Sequence, residues 1–276
     1  MMAPTSNINI AVIGVTGAGK TTFVSKAANR TDLEIGHGID SCTQDIKSVT
    51  FTLDGKQVTL IDTPGFDDTF KSDGDILQLV ANYLSATYKQ GTLLNGLILL
   101  QPIHGTRVQG NEMKRTRLFK RILGEGAYSR VIIATTMWSM LRNDSHGNQQ
   151  TQERKERDDV WGDMKARGAQ IVRHDDNKKS ALNIIRMVFD FPNPKPLQIQ
   201  TELAHTNGRV ALTSAGKQLD EDLGELVACL RREIESLRLD RETAQAEIQD
   251  MQERLRDIEA QKSSFGEAIV RQCIIL

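Results

Sequence analysis

The fold of this chain is decided by the stretch Gly14-Val15-Thr16-Gly17-Ala18-Gly19-Lys20-Thr21. It has the pattern GxxxxGK[ST] and lies between an apolar segment at 8–13 and a segment with helical periodicity at 20–28. In such a strand–loop–helix unit, the glycines let backbone N–H groups surround phosphate oxygens at the positive end of the helix. The sequence therefore predicts a phosphate-binding loop (P-loop), whereas a chance glycine-rich turn would not need this context.

Each part of the loop has a predicted role. We expect Lys20 to reach the β- and γ-phosphates, and we expect the Thr21 hydroxyl to bind Mg²⁺, a hard cation that prefers oxygen ligands. The residues predicted to contact the phosphates are Gly14, Thr16, Gly17, Ala18, Gly19, Lys20, Thr21 and Thr22.

A second motif, Asp62-Thr63-Pro64-Gly65, follows the third predicted strand. In a DxxG motif of this kind, the Asp holds Mg²⁺ through water and the Gly N–H contacts the γ-phosphate. Between the two motifs, the polar segment 36–44 contains Thr43, which we expect to complete the Mg²⁺ shell. Ser41 is a less favoured substitute, and a solvated loop threonine is the alternative. Lys20, Thr43 and Gly65 are the predicted catalytic positions in the motifs.

The hydrophobic pattern predicts an α/β fold with a six-stranded, mostly parallel sheet. Predicted strands lie at 8–13, 46–53, 57–61, 96–101, 131–135 and 170–173, and predicted helices lie at 20–28, 75–90, 109–123, 151–165 and 179–189. Asp54-Gly55 is a typical two-residue hairpin turn, so the second and third strands should be antiparallel neighbours.

Composition excludes some classes of protein. Lys+Arg (35) and Asp+Glu (36) nearly cancel, which argues against binding nucleic acid through charge. We expect neither a transmembrane helix nor a signal peptide, and the three cysteines are too scattered for a disulfide framework or a zinc site. These features predict a cytoplasmic protein.

Four regions are predicted along the chain. Residues 1–190 form the nucleotide-binding domain, and 191–217 form a linker that contains Pro192, Pro194 and Pro196. Residues 218–265 form a coiled coil, and 266–276 form a tail. The coiled coil rests on apolar d positions at Leu223, Leu230, Leu237, Ala244, Met251, Ile258 and Phe265, with mostly apolar a positions between them. The alternative is a helix that packs back on the domain along the same stripe.

The tail contains Cys273-Ile274-Ile275-Leu276, which has the form of a C-a-a-X box. Leu at the last position favours geranylgeranylation of Cys273, and a frayed apolar end is the alternative. One lipid chain anchors a protein only marginally. A parallel coiled coil would supply a second chain, so we expect peripheral attachment to the cytosolic face of a membrane.

Taken together, the segments 14–22 (GVTGAGKTT), 41–43 (SCT) and 62–68 (DTPGFDD) resemble septin-like (paraseptin) P-loop GTPases. The resemblance is to the immunity-associated nucleotide-binding family, its plant chloroplast-import relatives and fungal G-domain proteins, over about residues 7–190. It implies a Ras-like sheet, binding of GTP with Mg²⁺, and dimerisation controlled by nucleotide.

Two departures from that pattern concern base recognition and catalysis. The N/T-K-x-D motif that reads guanine is replaced by Thr135-Thr136-Met137-Trp138, so Thr136, Trp138 and His174 become the candidate base contacts. Trp138 either stacks on the base or packs beneath the loop, and Asp175 or Asp176 could supply the missing acceptor. Phe66 stands where a catalytic Gln would orient water. Arg107 is a candidate charge stabiliser across a dimer, with a solvated arginine as the alternative.

The sequence thus predicts a GTP-binding protein that hydrolyses GTP slowly to GDP, a dimerising switch or scaffold at a membrane. Two alternatives stay open. One is a non-hydrolysing, nucleotide-dependent assembly module, which Phe66 supports. The other is an ATP-binding P-loop protein with degenerate base recognition.

Overall fold

The computed structural model describes residues 7–30, 46–66, 72–104, 110–239 and 245–274, with side chains described up to residue 235 and at 249–263 in the last two ranges. Its centre is one sheet of six strands in the order β2-β3-β1-β4-β5-β6. The strands are β1 (Asn7–Gly14), β2 (Lys47–Leu53), β3 (Lys56–Asp62), β4 (Gly96–Pro102), β5 (Val131–Thr136) and β6 (Gln170–Arg173). Among the strands of the described residues, only β2 and β3 pair antiparallel. The predicted fold class is therefore confirmed.

The hairpin between β2 and β3 forms at the predicted turn. Asp54 and Gly55 both have positive φ, +50° and +75°, and Leu53 pairs with Lys56 across the turn. Two consecutive positive φ values match the twist of the flanking strands, and this is why Asp-Gly is favoured there. The turn sets the register that places Asp62 opposite Lys47.

Helices cover both faces of the sheet. They are α1 (Lys20–Ala28), α2 (Asp73–Lys89), α3 (Gly110–Leu123), α4 (Asp144–Glu156), α5 (Gly162–Ala166), α6 (Lys178–Met187), α7 (Gln198–His205), α8 (Ser214–Leu239) and α9 (Gln245–Ile274). One apolar core lies under α1 and α6, and a larger one lies under α2, α3 and α7. Within the described ranges, no helix has an apolar stretch long enough to cross a bilayer.

The prediction of one continuous helix at 151–165 is wrong. The structure has two helices instead, α4 and α5, with a turn between them that buries Val160 and Trp161 completely. Burial of two large apolar side chains in the turn is worth more than the helix propensity of the charged residues around them, because propensity differences are only tenths of a kcal/mol per residue.

The segment predicted as a linker packs against the domain. α7 lies inside it, and Leu197, Ile199 and Leu203 belong to the larger core. The buried Arg130 guanidinium donates hydrogen bonds to the carbonyl oxygens of Leu94 (2.8 Å) and Lys195 (2.9 Å). The proline-rich chain is thus held to the domain through its backbone.

The C-terminal helices also contact the domain. α8 packs along α3, where Arg117 pairs with Asp222 at 3.2 Å. Leu230 and Ile234, two heptad positions, are buried within this chain. α9 runs antiparallel to α8, with ion pairs Lys262–Asp220 (3.3 Å) and Arg231–Glu259 (2.7 Å). The geometry of α8 favours the alternative in which the helix packs back, and an intermolecular coiled coil stays a prediction.

Leu197→Ala tests whether the segment 191–217 is part of the folded domain. We expect the free energy of unfolding to fall by about 2–5 kcal/mol, as it does when a buried leucine is truncated. Urea denaturation measures it. Leu226→Ala is the matched control, since Leu226 is 37% exposed and its truncation should change stability little. Equal effects of the two changes would show that the segment does not contribute to the core.

Candidate functional site

The P-loop has a backbone that only glycine adopts without strain at two positions. Gly17 and Gly19 have φ of +77° and +91°, in the left-handed region. Gly14 is required for a different reason, because a Cβ there would lie 2.5 Å from the carbonyl oxygen of Leu100 in β4. The loop is therefore pressed against β4 before it enters α1, whose first turn carries Lys20, Thr21 and Thr22.

Lys20 is held inside the loop. Its ammonium donates hydrogen bonds to the carbonyl oxygens of Gly14 (3.1 Å) and Val15 (2.8 Å), and the residue is only 6% exposed. The positive charge is thus fixed beside the backbone amides that the motif directs at phosphate. The predicted contact of Lys20 with the β- and γ-phosphates stays a prediction.

The carboxylate of Asp62 lies beside Thr21. The Thr21 hydroxyl donates to Asp62 Oδ2 at 2.7 Å, while Asp62 Oδ1 is buried without a hydrogen-bond partner. Burial raises the pKa of Asp62 above its usual value, and the hydrogen bond from Thr21 and the charges of Lys20 and Lys47 offset this only in part. Such a desolvated carboxylate with a free oxygen is suited to a cation or to water bound to one.

The residues at this point fit Mg²⁺. The available donors are a hydroxyl and a carboxylate, both hard oxygen ligands, and Mg²⁺ typically uses one or two protein oxygens together with water and substrate phosphates. Thr21 would bind it directly, and Asp62 would hold it through water. Thr43, the third predicted ligand, lies outside the described residues. No cluster of three or more His, Cys, Asp or Glu side chains with metal-site geometry occurs in the described part of the chain.

The DxxG turn packs directly on the P-loop. The Thr16 N–H donates to the carbonyl oxygen of Phe66 at 3.0 Å, and Thr63 Oγ1 donates to the carbonyl oxygen of Val12 at 3.0 Å. A Cβ added to Gly65 would lie 2.4 Å from both the backbone nitrogen and the hydroxyl oxygen of Thr16. Glycine at 65 is therefore required by contact with the loop that holds the phosphates.

Phe66 faces the core. It is 1% exposed, and its ring meets that of Phe119 edge to face at 5.3 Å. The side chain therefore anchors the turn by burial. This position agrees with the expectation that residue 66 orients no water.

At the other end of the site, Thr136 supports the loop. The Thr136 hydroxyl donates to the carbonyl oxygen of Ala18 at 3.1 Å, which ties the end of β5 to the P-loop. Trp138 is buried, and its Nε1 donates to the carbonyl oxygen of Thr135 at 3.1 Å. The Arg173 guanidinium lies 4.3 Å from the centre of the indole. Of the two interpretations of Trp138, the geometry favours packing beneath the loop.

His174 is also an interior residue. Its Nδ1 lies 3.0 Å from Ser180 Oγ, its ring meets Phe23 edge to face at 5.1 Å, and burial lowers its pKa. It is 3% exposed, so it supports α1 from behind. The two carboxylates considered as base acceptors are engaged elsewhere, Asp175 with Arg173 and Asp176 with Lys26.

Two residues near the site were not predicted. Met137 has φ of +62°, rare for a residue other than glycine, and its terminal methyl lies 3.9 Å from where a Cβ on Gly19 would be. Lys47 lies directly across the hairpin from Asp62. The spacing of the Asp-Gly turn could have revealed Lys47, whereas nothing in the sequence marks Met137. Arg107 lies outside the described residues, and so does the side chain of Cys273.

The order of the strands, the glycine-dependent loop and the Thr21–Asp62 contact together match the fold of P-loop GTPases. Comparison with known proteins agrees. Residues 9–136, a little under half of the chain, match the family model of the 50S ribosome-binding GTPase. The finer resemblance to septin-like GTPases stays a prediction.

Curated relatives match in part. GTP-binding protein A of Dictyostelium discoideum is 25% identical over 137 residues, which is 50% of this chain and 29% of that protein. GTPase Der of Rhodopirellula baltica is 38% identical over 65 residues, which is 24% of this chain and 14% of that protein. The chain thus spans less than a third of either relative. Among solved structures, a dimerisation-deficient mutant of Toc33 from Arabidopsis thaliana covers 75% of this chain and 84% of its own, with a TM-score of 0.51 and 13% identity.

Asp62→Asn is expected to change stability and binding in opposite directions. Without nucleotide and metal, the variant should be more stable at neutral pH, because a raised pKa means that the buried charge costs folding free energy. That cost disappears as the pH falls through the folded-state pKa of Asp62, so the advantage should shrink towards about pH 4. Urea denaturation across this range measures the stability, and calorimetry measures the loss of Mg²⁺-dependent nucleotide binding.

Asp159→Asn is the matched control for the pH series. The hydrogen bond from Arg157 lowers the pKa of Asp159, so its removal should give the opposite sign of stability change at neutral pH. If Asp62→Asn also destabilised the fold at neutral pH, the buried carboxylate would be a stabilising group and our account of it would be wrong.

Gly65→Ala is expected to separate the DxxG turn from the P-loop, because the added methyl has no space beside Thr16. We expect binding of a non-hydrolysable GTP analogue to weaken about tenfold or more, with the hydrogen bond from Thr16 to Phe66 lost. Fluorescence titration measures the affinity. Gly126→Ala is the control, since a Cβ at residue 126 has open space around it; equal affinities of the two variants would contradict the steric argument.

Proposed function

We propose that this chain binds GTP with Mg²⁺ and hydrolyses it slowly to GDP. The observation that carries the proposal is the group of Lys20, Thr21 and Asp62 around the P-loop, in which a fixed ammonium, a hydroxyl and a desolvated carboxylate lie together. A bound polyanion would neutralise the ammonium, and Thr21 and Asp62 would hold a cation that supplies further charge neutralisation. The match of 9–136 to a GTPase family supports guanine as the base.

The residues act mainly by position and charge. The amides of the P-loop bind phosphate oxygens, and Lys20 compensates the charge at the β- and γ-phosphates. Mg²⁺, held by Thr21 and Asp62, with Thr43 as a further proposed ligand, supplies additional charge neutralisation when it is bound. Gly65 presents its N–H at the terminal phosphate. No covalent intermediate with the protein is needed for phosphoryl transfer of this kind.

Slow hydrolysis is proposed because Phe66 is committed to the core. A phenylalanine packed on Phe119 neither donates nor accepts a hydrogen bond to water. An arginine supplied across a dimer can raise the rate of phosphoryl transfer by several orders of magnitude. We propose Arg107 for this role, which would make hydrolysis depend on protein concentration.

We further propose that the protein acts as a dimerising switch or scaffold at a membrane surface. The Toc33 structure with which it shares its fold is of a dimerisation-deficient mutant, so dimerisation is a property of that protein. Prenylation of Cys273 and residence on the cytosolic face of a membrane stay predictions. Mass spectrometry of the protein purified from its source would test the modification of Cys273.

Two other functions have an observation in their favour. A non-hydrolysing assembly module is favoured by the buried Phe66, since nucleotide would then control only the pairing of domains. An ATP-binding protein is favoured by the base end of the site, where the described side chains include no free carboxylate from Asp175 or Asp176. In guanine-specific sites of this fold, a carboxylate accepts hydrogen bonds from the ring.

A binding and turnover experiment separates these functions. We expect labelled GTP to bind in the presence of Mg²⁺, to be displaced by GDP and to resist excess ATP. Lys20→Ala should lose binding by about two orders of magnitude or more, since it removes a buried charge from a phosphate site. Lys56→Ala is the matched control, because Lys56 lies over the ring of Phe189 at the far end of β3.

The outcomes separate the three functions. Displacement by ATP as readily as by GTP would favour the ATP-binding protein. If the chain bound GTP but released phosphate no faster than the Lys20→Ala variant, the assembly module would be favoured. Absence of heat with any nucleoside triphosphate, from folded protein, would contradict all three.

A further inference from the structure

One buried hydroxyl of the P-loop has no partner. Thr16 Oγ1 is shielded from solvent and makes no hydrogen bond within the described part of the chain. Its neighbours Lys20 and Thr21 are engaged, with the loop carbonyls and with Asp62 respectively. Leaving a buried polar atom unsatisfied costs about 1–3 kcal/mol, so native structures retain such groups mainly where a ligand or water completes them.

The hydroxyl lies where the two phosphate-binding motifs touch. The position that a Cβ on Gly65 would take is 2.4 Å from Thr16 Oγ1, while the Thr16 N–H is bound to the carbonyl oxygen of Phe66 at 3.0 Å. Gly65 is the residue whose N–H faces the terminal phosphate in a DxxG motif. The Thr16 hydroxyl therefore lies against Gly65, the residue of the DxxG turn that meets the terminal phosphate in sites of this kind.

This end of the site needs a polar side chain. Phe66, at the position that usually orients the attacking water, points away into the core against Phe119. Thr63, also in the DxxG turn, already donates its hydroxyl hydrogen to Val12. Among the described residues of the P-loop and the DxxG turn, the Thr16 hydroxyl is the one that is buried without a partner.

We propose that Thr16 is a catalytic residue whose hydroxyl hydrogen-bonds the attacking water at the terminal phosphate, a role that Phe66 cannot fill. This inference rests on the proposed function. In the step itself, the water oxygen forms a bond to the γ-phosphorus, and the bond from that phosphorus to the bridging oxygen breaks. The electron pair of that bond stays on GDP, and the water proton leaves with the inorganic phosphate. Thr16 orients the water and is not consumed.

The proposal predicts different effects on the hydrolysis of GTP and on the binding of GDP. GDP has no terminal γ-phosphate and involves no attacking water, so binding of GDP should not need the Thr16 hydroxyl. Removal of the hydroxyl should also relieve the cost of an unsatisfied group in the protein without nucleotide. A merely structural threonine could show the gain in stability, but it would not slow phosphate release while leaving GDP binding unchanged.

The experiment compares Thr16→Val and Thr16→Ser with the unsubstituted chain. Valine keeps the shape and removes the hydroxyl, whereas serine keeps the hydroxyl. The readouts are single-turnover phosphate release from GTP with Mg²⁺, affinity for GDP, and urea denaturation without nucleotide. We expect Thr16→Val to slow phosphate release about tenfold or more, to bind GDP unchanged and to be no less stable, whereas Thr16→Ser keeps the natural rate.

Thr151→Val is the matched control. Thr151 Oγ1 is likewise buried without a partner, but it lies in α4 away from the P-loop, so its removal should leave phosphate release unchanged. A natural rate in Thr16→Val, a rate in Thr16→Ser as low as that in Thr16→Val, or an equal loss of GDP affinity would each overturn the proposal. If the unsubstituted chain released phosphate no faster than the Lys20→Ala variant, the proposed hydrolysis would be wrong, and this inference, which rests on it, would be wrong as well.

Discussion

The site exists because three segments of backbone meet with no room for a side chain between them. Gly14 lies against the carbonyl of Leu100 in β4, and Gly65 lies against Thr16. These two contacts bring the ends of β1 and β4 and the turn after β3 together around the loop that leads into α1. Only there can the ammonium of Lys20 and the carboxylate of Asp62 approach the same ligand, so the chemistry depends on close packing of backbone before it depends on any charged group.

The same packing explains why the charge of Asp62 lowers the stability of the fold and why its carboxylate is suited to a ligand. Its carboxylate is desolvated by the sheet and by α1, and a single hydrogen bond from Thr21 does not replace its lost hydration. A protein selected only for stability would place a neutral residue there. Within one small region, the protein retains a buried charge and two oxygens without hydrogen-bond partners, on Asp62 and Thr16. This pattern is expected where a ligand supplies the missing partners.

Sequence reasoning succeeded where local signals and tertiary structure agree. All six strands lie within about one residue of their predicted bounds. Apolar runs such as β4 and β5 indicate buried strands, and the Asp54-Gly55 turn fixes the limits of β2 and β3. Sequence reasoning failed where contacts between residues far apart in the chain determine the structure. The prolines after Phe191 correctly exclude a helix there, but they do not reveal that Arg130 binds the carbonyl of Lys195 or that Leu197 enters the core.

The candidate site divides in the same way. The predicted phosphate end follows from fixed spacing along the chain, so the sequence alone predicts that Lys20, Thr21, Asp62 and Gly65 lie near one another, as they do in the structure. The base end follows from side-chain direction, which spacing does not give. Trp138 and His174 are of residue types that often bind rings, yet both turn inward, and no sequence signal marks the left-handed backbone of Met137.

The antiparallel arrangement of α8 and α9 has a mechanical consequence. α8 is fixed to α3 through Asp222 and Arg117, and Lys262 of α9 returns to the level of Asp220, within one helical turn of that contact. The lever arm from the domain to this part of α9 is therefore short. A small rotation of α3 would therefore move this part of α9 by a similarly small distance.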